Sequence, residues 1–202
     1  MKRLVFSLVA IMLVIGLMGA GAFAYFSDVE TSNDNTFAAG SLNLTVDGKD
    51  GDNVMKFTVA NMKPGSQSIG VFKLSNTGSI AGYLNITGVA VTGIENDRIE
   101  PEIAAGDTTD GVGELQDVAS INLFWDQDCN GWFGAGDAYV QGNTKFNGLA
   151  TSYKTNKQIP AGGTVCLASQ VNWWDNGAND NLAMTDSIDM DLTFQLTQNA
   201  LP

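Results

Sequence analysis

The chain has 202 residues, with 22 Asp and Glu against 10 Lys and Arg, two Cys, 23 Gly and no His. At roughly 100–200 residues per domain it makes one domain with room for a hydrophobic core, and a formal charge of -12 argues against nucleic acid, whose phosphates require a basic footprint. The missing His excludes His-based serine hydrolases and HExxH metalloproteases, and the surplus of Gly points to turns and strands.

Lys2 and Arg3 precede an uncharged stretch, Leu4 to Phe26, that carries the apolar run Leu4–Met18 and closes on small residues. A basic start, an apolar centre and an Ala-x-Ala site at Ala22 and Ala24 read as a secretory signal peptide, residues 1–24, cut before Tyr25. The alternative is an uncleaved anchor, because the run nears the ~20 residues that span a bilayer. Cleavage leaves residues 25–202 with 8 basic and 22 acidic side chains, an exported acidic domain. Signal peptidase is its expected first partner, and it touches a membrane only before cleavage.

Period-2 alternation then recurs along the chain. Leu42, Leu44 and Val46 alternate with Asn43 and Thr45, and Met55, Phe57 and Val59 with Lys56 and Thr58. Pro64-Gly65 predicts a type II turn, Ile69–Leu74 a strand and Asn76-Thr-Gly-Ser79 the next turn. Leu84 and Ile86 share one parity, Val89 and Val91 the other, and Gly88 sits where a bulge would restore the face. The uncharged stretch Leu74–Ile94 is too rich in Asn, Thr, Ser and Gly to be a membrane span, and reads as paired strands.

From Glu95 to Asp117 periodicity vanishes among acidic residues, Gly and Pro101, which predicts a long surface excursion with at most a short helix. Ile121, Leu123 and Trp125 resume alternation. Ile159-Pro-Ala-Gly-Gly163 predicts a turn that feeds Val165, Leu167 and Val171. The cleanest strand is the last: Ile188, Met190, Leu192, Phe194 and Leu196 face one way, and Asp189, Asp191, Thr193 and Gln195 the other. Short strands between Gly, Pro and Asn turns mean an all-β fold, an antiparallel β-sandwich with long loop insertions.

The sharpest motif is Asp126-Gln-Asp128-Cys-Asn130-Gly131-Trp132-Phe-Gly134-Ala-Gly-Asp137, which fits D-x-[DN]-x-[DN]-G-x5-[DE]. In that pattern Asp126, Asp128 and Asn130 supply side-chain oxygens, Gly131 turns, Trp132 offers a carbonyl and Asp137 closes a cage for a structural Ca²⁺. Strand-like flanks make it a stapled hairpin and not a helix–loop–helix; the alternative is an acidic loop that binds nothing. Cys129 lies inside the loop and Cys166 beyond the Pro160 turn. In an exported chain two Cys suggest one disulfide, against two free thiols. Of the adjacent Trp173 and Trp174, one is expected in the core and one at the rim, with a sugar-stacking platform as the alternative. Asn43 and Asn85 head N-x-T sequons and fall on the polar parity of their strands, where both would be exposed for glycosylation.

Tyr25-Phe-Ser-Asp28, Asn35-Thr-Phe-Ala-Ala-Gly-Ser-Leu-Asn-Leu44, Asn61-Met-Lys-Pro-Gly65, Leu74-Ser-Asn-Thr-Gly-Ser79 and the closing Ile188–Gln198 resemble the TasA/camelysin (CalY) family. The resemblance covers about residues 20–92 and 160–198 and leaves the Asp126 loop without a counterpart. It implies a jelly-roll sandwich, a dedicated signal peptidase and assembly into extracellular biofilm-matrix fibres or bundling pili on the cell surface. It also implies that the mature N-terminal segment completes a sheet of the neighbouring copy, with a donor at about Tyr25–Thr36. The apolar Tyr25, Phe26, Val29 and Phe37, set among Asp, Ser, Thr and Asn, suit strand addition to an open edge. Such head-to-tail insertion between copies does not close and yields a homopolymer; the alternative is that residues 25–37 fold back as the chain's own first strand. Two other readings stay open: a calcium-stabilised carbohydrate-binding module using Trp132, Trp173 or Trp174, and a camelysin-like peptidase, which lacks any His here. A fibre subunit with no catalytic residues is the expectation.

Overall fold

The alternating segments become ten strands among the described residues, which in this computed structural model are 40–51, 54–175 and 177–202. They are β1 (Leu44–Val46), β2 (Lys49–Asp50), β3 (Val54–Val59), β4 (Gln67–Asn76), β5 (Gly82–Ile94), β6 (Ser120–Asp126), β7 (Ala138–Lys145), β8 (Tyr153–Ile159), β9 (Thr164–Asn172) and β10 (Ser187–Thr197). Two short helices, α1 (Glu100–Ala105) and α2 (Leu115–Val118), stand between β5 and β6. The signal segment with Ala22, Ala24 and Tyr25, and the donor residues Tyr25, Phe26, Val29 and Phe37, lie outside the described residues. Among those described, no helix is long and apolar enough to cross a membrane.

The strands form a six-stranded sheet of order β2-β1-β4-β9-β6-β7 and a four-stranded sheet of order β3-β10-β5-β8. Neighbours are antiparallel throughout. The fold is thus an all-β sandwich. Local chemistry sets its turns: Ser66 N–H bonds Lys63 C=O at 3.0 Å across Pro64-Gly65, with Gly65 at φ 81, the type II turn that Pro and Gly predict.

The core lies between the sheets. Leu74, Ile121, Leu123 and Leu167 of one face Ile86, Ile188, Met190 and Leu192 of the other, all at most 1% exposed. Phe57 on β3 meets Phe72 on β4 edge-to-face at 6.1 Å, joining the sheets. The parity change along β5 is resolved by a bulge. β10 pairs Thr193 with Gly88 but Phe194 with Ile86, so Thr87 is the extra residue, and Leu84 and Val89 both turn toward the core.

Three expectations need correction. Residues 95–117 are not a plain surface excursion, because α1 and α2 fold onto the sandwich end and bury Glu102 and Leu115 completely. Asn85 is 1% exposed, not presented to solvent. The irregular start of β8 moves Asn156 over it, and Asn156 N–H donates to Asn85 Oδ1 at 2.9 Å. Asn43 is half-buried, its Nδ2 donating to Asp50 and Thr77. The polar β8 carries no strong alternation and escapes a periodicity reading.

Leu192 tests this packing. Leu192→Ala should lower the unfolding free energy by about 2–5 kcal/mol in chemical denaturation, whereas Gln195→Ala on the exposed face should stay within about 0.5 kcal/mol.

Candidate functional site

Strand parity puts Phe124 and Asp126 of β6, and Cys166, Ala168 and Gln170 of β9, on the outer face of the six-stranded sheet. All five are nonetheless buried. The cause is the β6–β7 connection, residues 127–137, which folds back across that face. Gln170 Nε2 donates to Gly131 C=O at 2.8 Å, and Cys129 is bonded to Cys166, tying residues 37 apart in sequence. A Cβ on Gly131 would stand 2.6 Å from Ile69 Cγ2, and its φ of 84 is left-handed, so only Gly lets the loop lie this close.

The same acidic side chains that form the cation motif shape the loop. Asp126 Oδ2 accepts Gly131 N–H at 2.7 Å, Asn130 Oδ1 accepts Trp132 N–H at 2.6 Å, and Asp128 Oδ2 accepts Asn130 Nδ2 at 2.6 Å. Asp137 accepts Gln127 N–H and Gly134 N–H, one on each oxygen, both at 2.8 Å. Asp126 Oδ1 is buried without a hydrogen-bond partner. Asp126, Asp128, Asn130, Trp132 and Asp137 therefore occupy one loop. Among the described residues, however, the groups of three acidic side chains whose oxygens fall within 4.8 Å of one another lie elsewhere.

Phe133 stacks on Tyr139 at 4.0 Å, and both meet the buried Phe124 edge-on, leaving Phe133 and Tyr139 partly exposed on the loop surface. The Trp pair divides as parity requires. Trp173 is 2% exposed with Nε1 donating to Asp180 at 2.8 Å, and Trp174 is 59% exposed.

A second feature is an open sheet edge. β4 has ten residues, but β1 pairs only with Leu74, Ser75 and Asn76. Asp47 extends the contact to Lys73 through two bonds of 2.8 Å. Gln67–Phe72 keep a partner strand, β9, on one side alone among the described residues. This edge runs along half-buried Val71 and Phe72 and the 36% exposed Ile69.

The third feature gives no periodic signal. Glu95 follows β5, Glu102 sits on α1, Asp107 follows the left-handed Gly106 cap, Glu114 precedes α2 and Asp186 precedes β10. They converge in two groups, Glu95-Asp107-Glu114 and Glu95-Glu102-Asp186, with oxygens within 4.8 Å in each. Burial, then the charge of Glu95, pushes Asp186 up to about 7. Burial and the charges of Glu102, Asp107 and Glu114 raise Glu95 as well. Asp107 is held below its ordinary value, chiefly by Thr109 N–H. Acidic residues that flank strand ends and helix starts were the available signal, but three-dimensional convergence has no fixed spacing.

A model of the camelysin metallo-endopeptidase family matches residues 1–107. A curated relative from Bacillus subtilis (strain 168), described as "Major biofilm matrix component", is 34% identical over 80 residues. That alignment covers 40% of this chain and 29% of the relative, so the chain spans under a third of the protein it matches. The metal implied by the family's description does not find zinc-protease ligands here: the chain has no His and both Cys are in the disulfide, which leaves carboxylates, a hard-oxygen donor set.

Two outcomes follow from these features. Cys129→Ser with Cys166→Ala should lower the unfolding free energy by about 2–4 kcal/mol, measured under non-reducing denaturation. In chelating buffer, stability should fall as pH rises from about 4 to about 7. Asp186 and Glu95 bind protons more tightly in the folded state, so folding is favoured while they are protonated and loses that advantage as the folded groups ionise. Asp186→Asn should flatten the slope of thermal melts against pH.

Proposed function

Because the chain belongs to the camelysin metallo-endopeptidase family and resembles a biofilm matrix component, we propose that it is a secreted structural subunit of an extracellular matrix fibre. It has no peptidase activity in this reading. After export and cleavage behind Ala24, the segment Tyr25–Thr36 leaves its own domain and adds a strand to the next copy. The observation that carries this reading is the β4 edge, Gln67–Phe72, which lacks a second partner strand among the described residues. A segment with Tyr25, Phe26 and Val29, and Phe37 just beyond it, among polar residues cannot bury itself alone, but backbone bonding along such an edge would fix it and place its apolar side chains in alternate pockets.

This arrangement accounts for other features. A copy whose β4 edge is filled no longer offers Gln67–Phe72 for unspecific pairing. A contact that joins one copy's tail to another's edge never closes, so the product is a filament. The disulfide-tethered loop over the outer face of the same sheet stiffens the subunit in an oxidising exterior. The acidic surface keeps single filaments apart at low ionic strength.

The test is negative-stain microscopy of the purified chain with its native N-terminus. Filaments are expected, mass spectrometry should find Tyr25 as the first residue, and Phe26→Asp with Val29→Asp should leave folded monomers. Filaments that persist in that variant, or a parent that stays monomeric at high concentration, would sink the reading. Proteolysis by the purified chain that survives to homogeneity would revive the peptidase.

A further inference from the structure

The five carboxylates at the α1–α2 end of the sandwich are held in a particular way. Glu102 Oε2 accepts Ile99 N–H at 2.6 Å, and Asp186 Oδ2 accepts Glu114 N–H and Leu115 N–H at 2.6 and 3.2 Å. Asp107 Oδ1 accepts Thr109 N–H at 2.8 Å, and Glu114 Oε1 accepts Thr109 Oγ1–H at 2.6 Å. Each of these four side chains thus has one oxygen fixed and the other without an N–H or O–H donor among the described residues, and Glu95, whose carboxyl meets that of Asp186, has no such donor on either oxygen. Three of the five are more than nine-tenths buried: Glu102 at 0%, Asp186 at 3% and Asp107 at 7% exposed. Arg98, the cation whose charge reaches Asp107, has its guanidinium on Asp110 at 2.8 Å.

We propose that Glu95, Glu102, Asp107, Glu114 and Asp186 form a calcium centre that fastens residues 95–117 to the end of the sandwich. Buried carboxylate oxygens without donors are costly and are relieved by a proton or by a cation, and a cation relieves several at once. The unpartnered oxygens fall in two triads that share Glu95, able to bind through both of its own, and each triad supplies three or four of the six to eight oxygens that Ca²⁺ takes, with water completing the shell. The N–H groups and the Thr109 hydroxyl that hold the other oxygens act as the outer shell that orients metal-binding side chains. An all-carboxylate set with no nitrogen or sulfur selects a hard ion. Its crowding of negative charge suits Ca²⁺, which tolerates irregular and bidentate geometry, better than Mg²⁺, which keeps its waters in a strict octahedron. Calcium in the Glu95-Glu102-Asp186 triad would tie the start of the segment to the residue before β10, and in the Glu95-Asp107-Glu114 triad it would tie the two ends of the segment to one another. The centre does not depend on polymerisation.

The experiment strips the full chain with EGTA, desalts it and titrates it with calcium chloride while the melting temperature is read. At about a hundredfold excess over Kd the melting temperature should rise by about 5–10 °C, and magnesium at the same concentration should raise it less. Glu95→Gln and Asp186→Asn should lose the calcium response. In EGTA they should melt no lower than the parent, since each removes one charge from a repelling group and keeps its shape. That sign separates loss of a ligand from loss of the fold. Isothermal titration of Asp186→Asn at 25 °C should show at least tenfold weaker calcium binding. A parent that ignores calcium, an equal response to magnesium, parent-like affinity in Asp186→Asn, or a response kept in both variants but abolished by Asp126→Asn, which would move the ion to the hairpin, overturns the proposal. Filament formation enters none of these readouts.

Discussion

The antiparallel ladder between β5 and β10 is the constraint on which the rest of the sandwich depends. It runs from Tyr83 opposite Thr197 to Ile94 opposite Ser187, and it is the centre of the four-stranded sheet. Its inward residues Met190 and Leu192 fill the middle of the core. Its last rung also decides what stands beyond the sheet, because Glu95 and Asp186 are the next residues on each strand and must leave side by side. Gly113 makes the remaining approach possible: a Cβ there would lie 2.9 Å from Asp186 Cγ. With Gly, the start of α2 comes close enough for two backbone N–H groups to reach one Asp186 oxygen. Packing that buries Met190 therefore gathers acid at the end of the same strand.

The six-stranded sheet solves a different problem. One of its faces belongs to the core, and the other would carry Phe124, Cys166 and Ala168 into water. A loop held by one disulfide and by hydrogen bonds from its backbone N–H groups to its own Asp and Asn side chains covers them. The burial of β9 is consequently almost continuous instead of alternating. On the far side of β9, the three-residue β1 covers only part of the ten-residue β4 among the described residues. One sheet thus combines a covered outer face with a β4 edge that is only partly paired among those residues.

The family's description and the chain's chemistry point in different directions. A metallo-endopeptidase usually holds its metal by nitrogen, and this chain has none to offer from His. What it has is carboxylate, gathered at one end of the sandwich, a donor set for a hard ion. The proposed fibre and the proposed calcium centre do not require one another.

Residue order was enough for whatever depends on near neighbours. Alternation in Ile188–Leu196 gave the last strand and its buried face, Pro64-Gly65 gave a turn type, Gly88 marked the bulge and the two Trp divided between core and rim. These are consequences of a two-residue period and of allowed φ angles, both local quantities. Tertiary structure decided what depends on distant segments meeting. Asn85 sits on polar parity yet is buried, because an irregular strand crosses it. Phe124 and Cys166 are buried on an outer face because a loop returns over them. The acids from Glu95 to Asp186 look like solvated surface until five of them share one end of the sandwich. The Asp126 motif was legible because its spacing is fixed in sequence; the acidic cluster was not, because its spacing is fixed only by the β5–β10 register and the two helices that close over it.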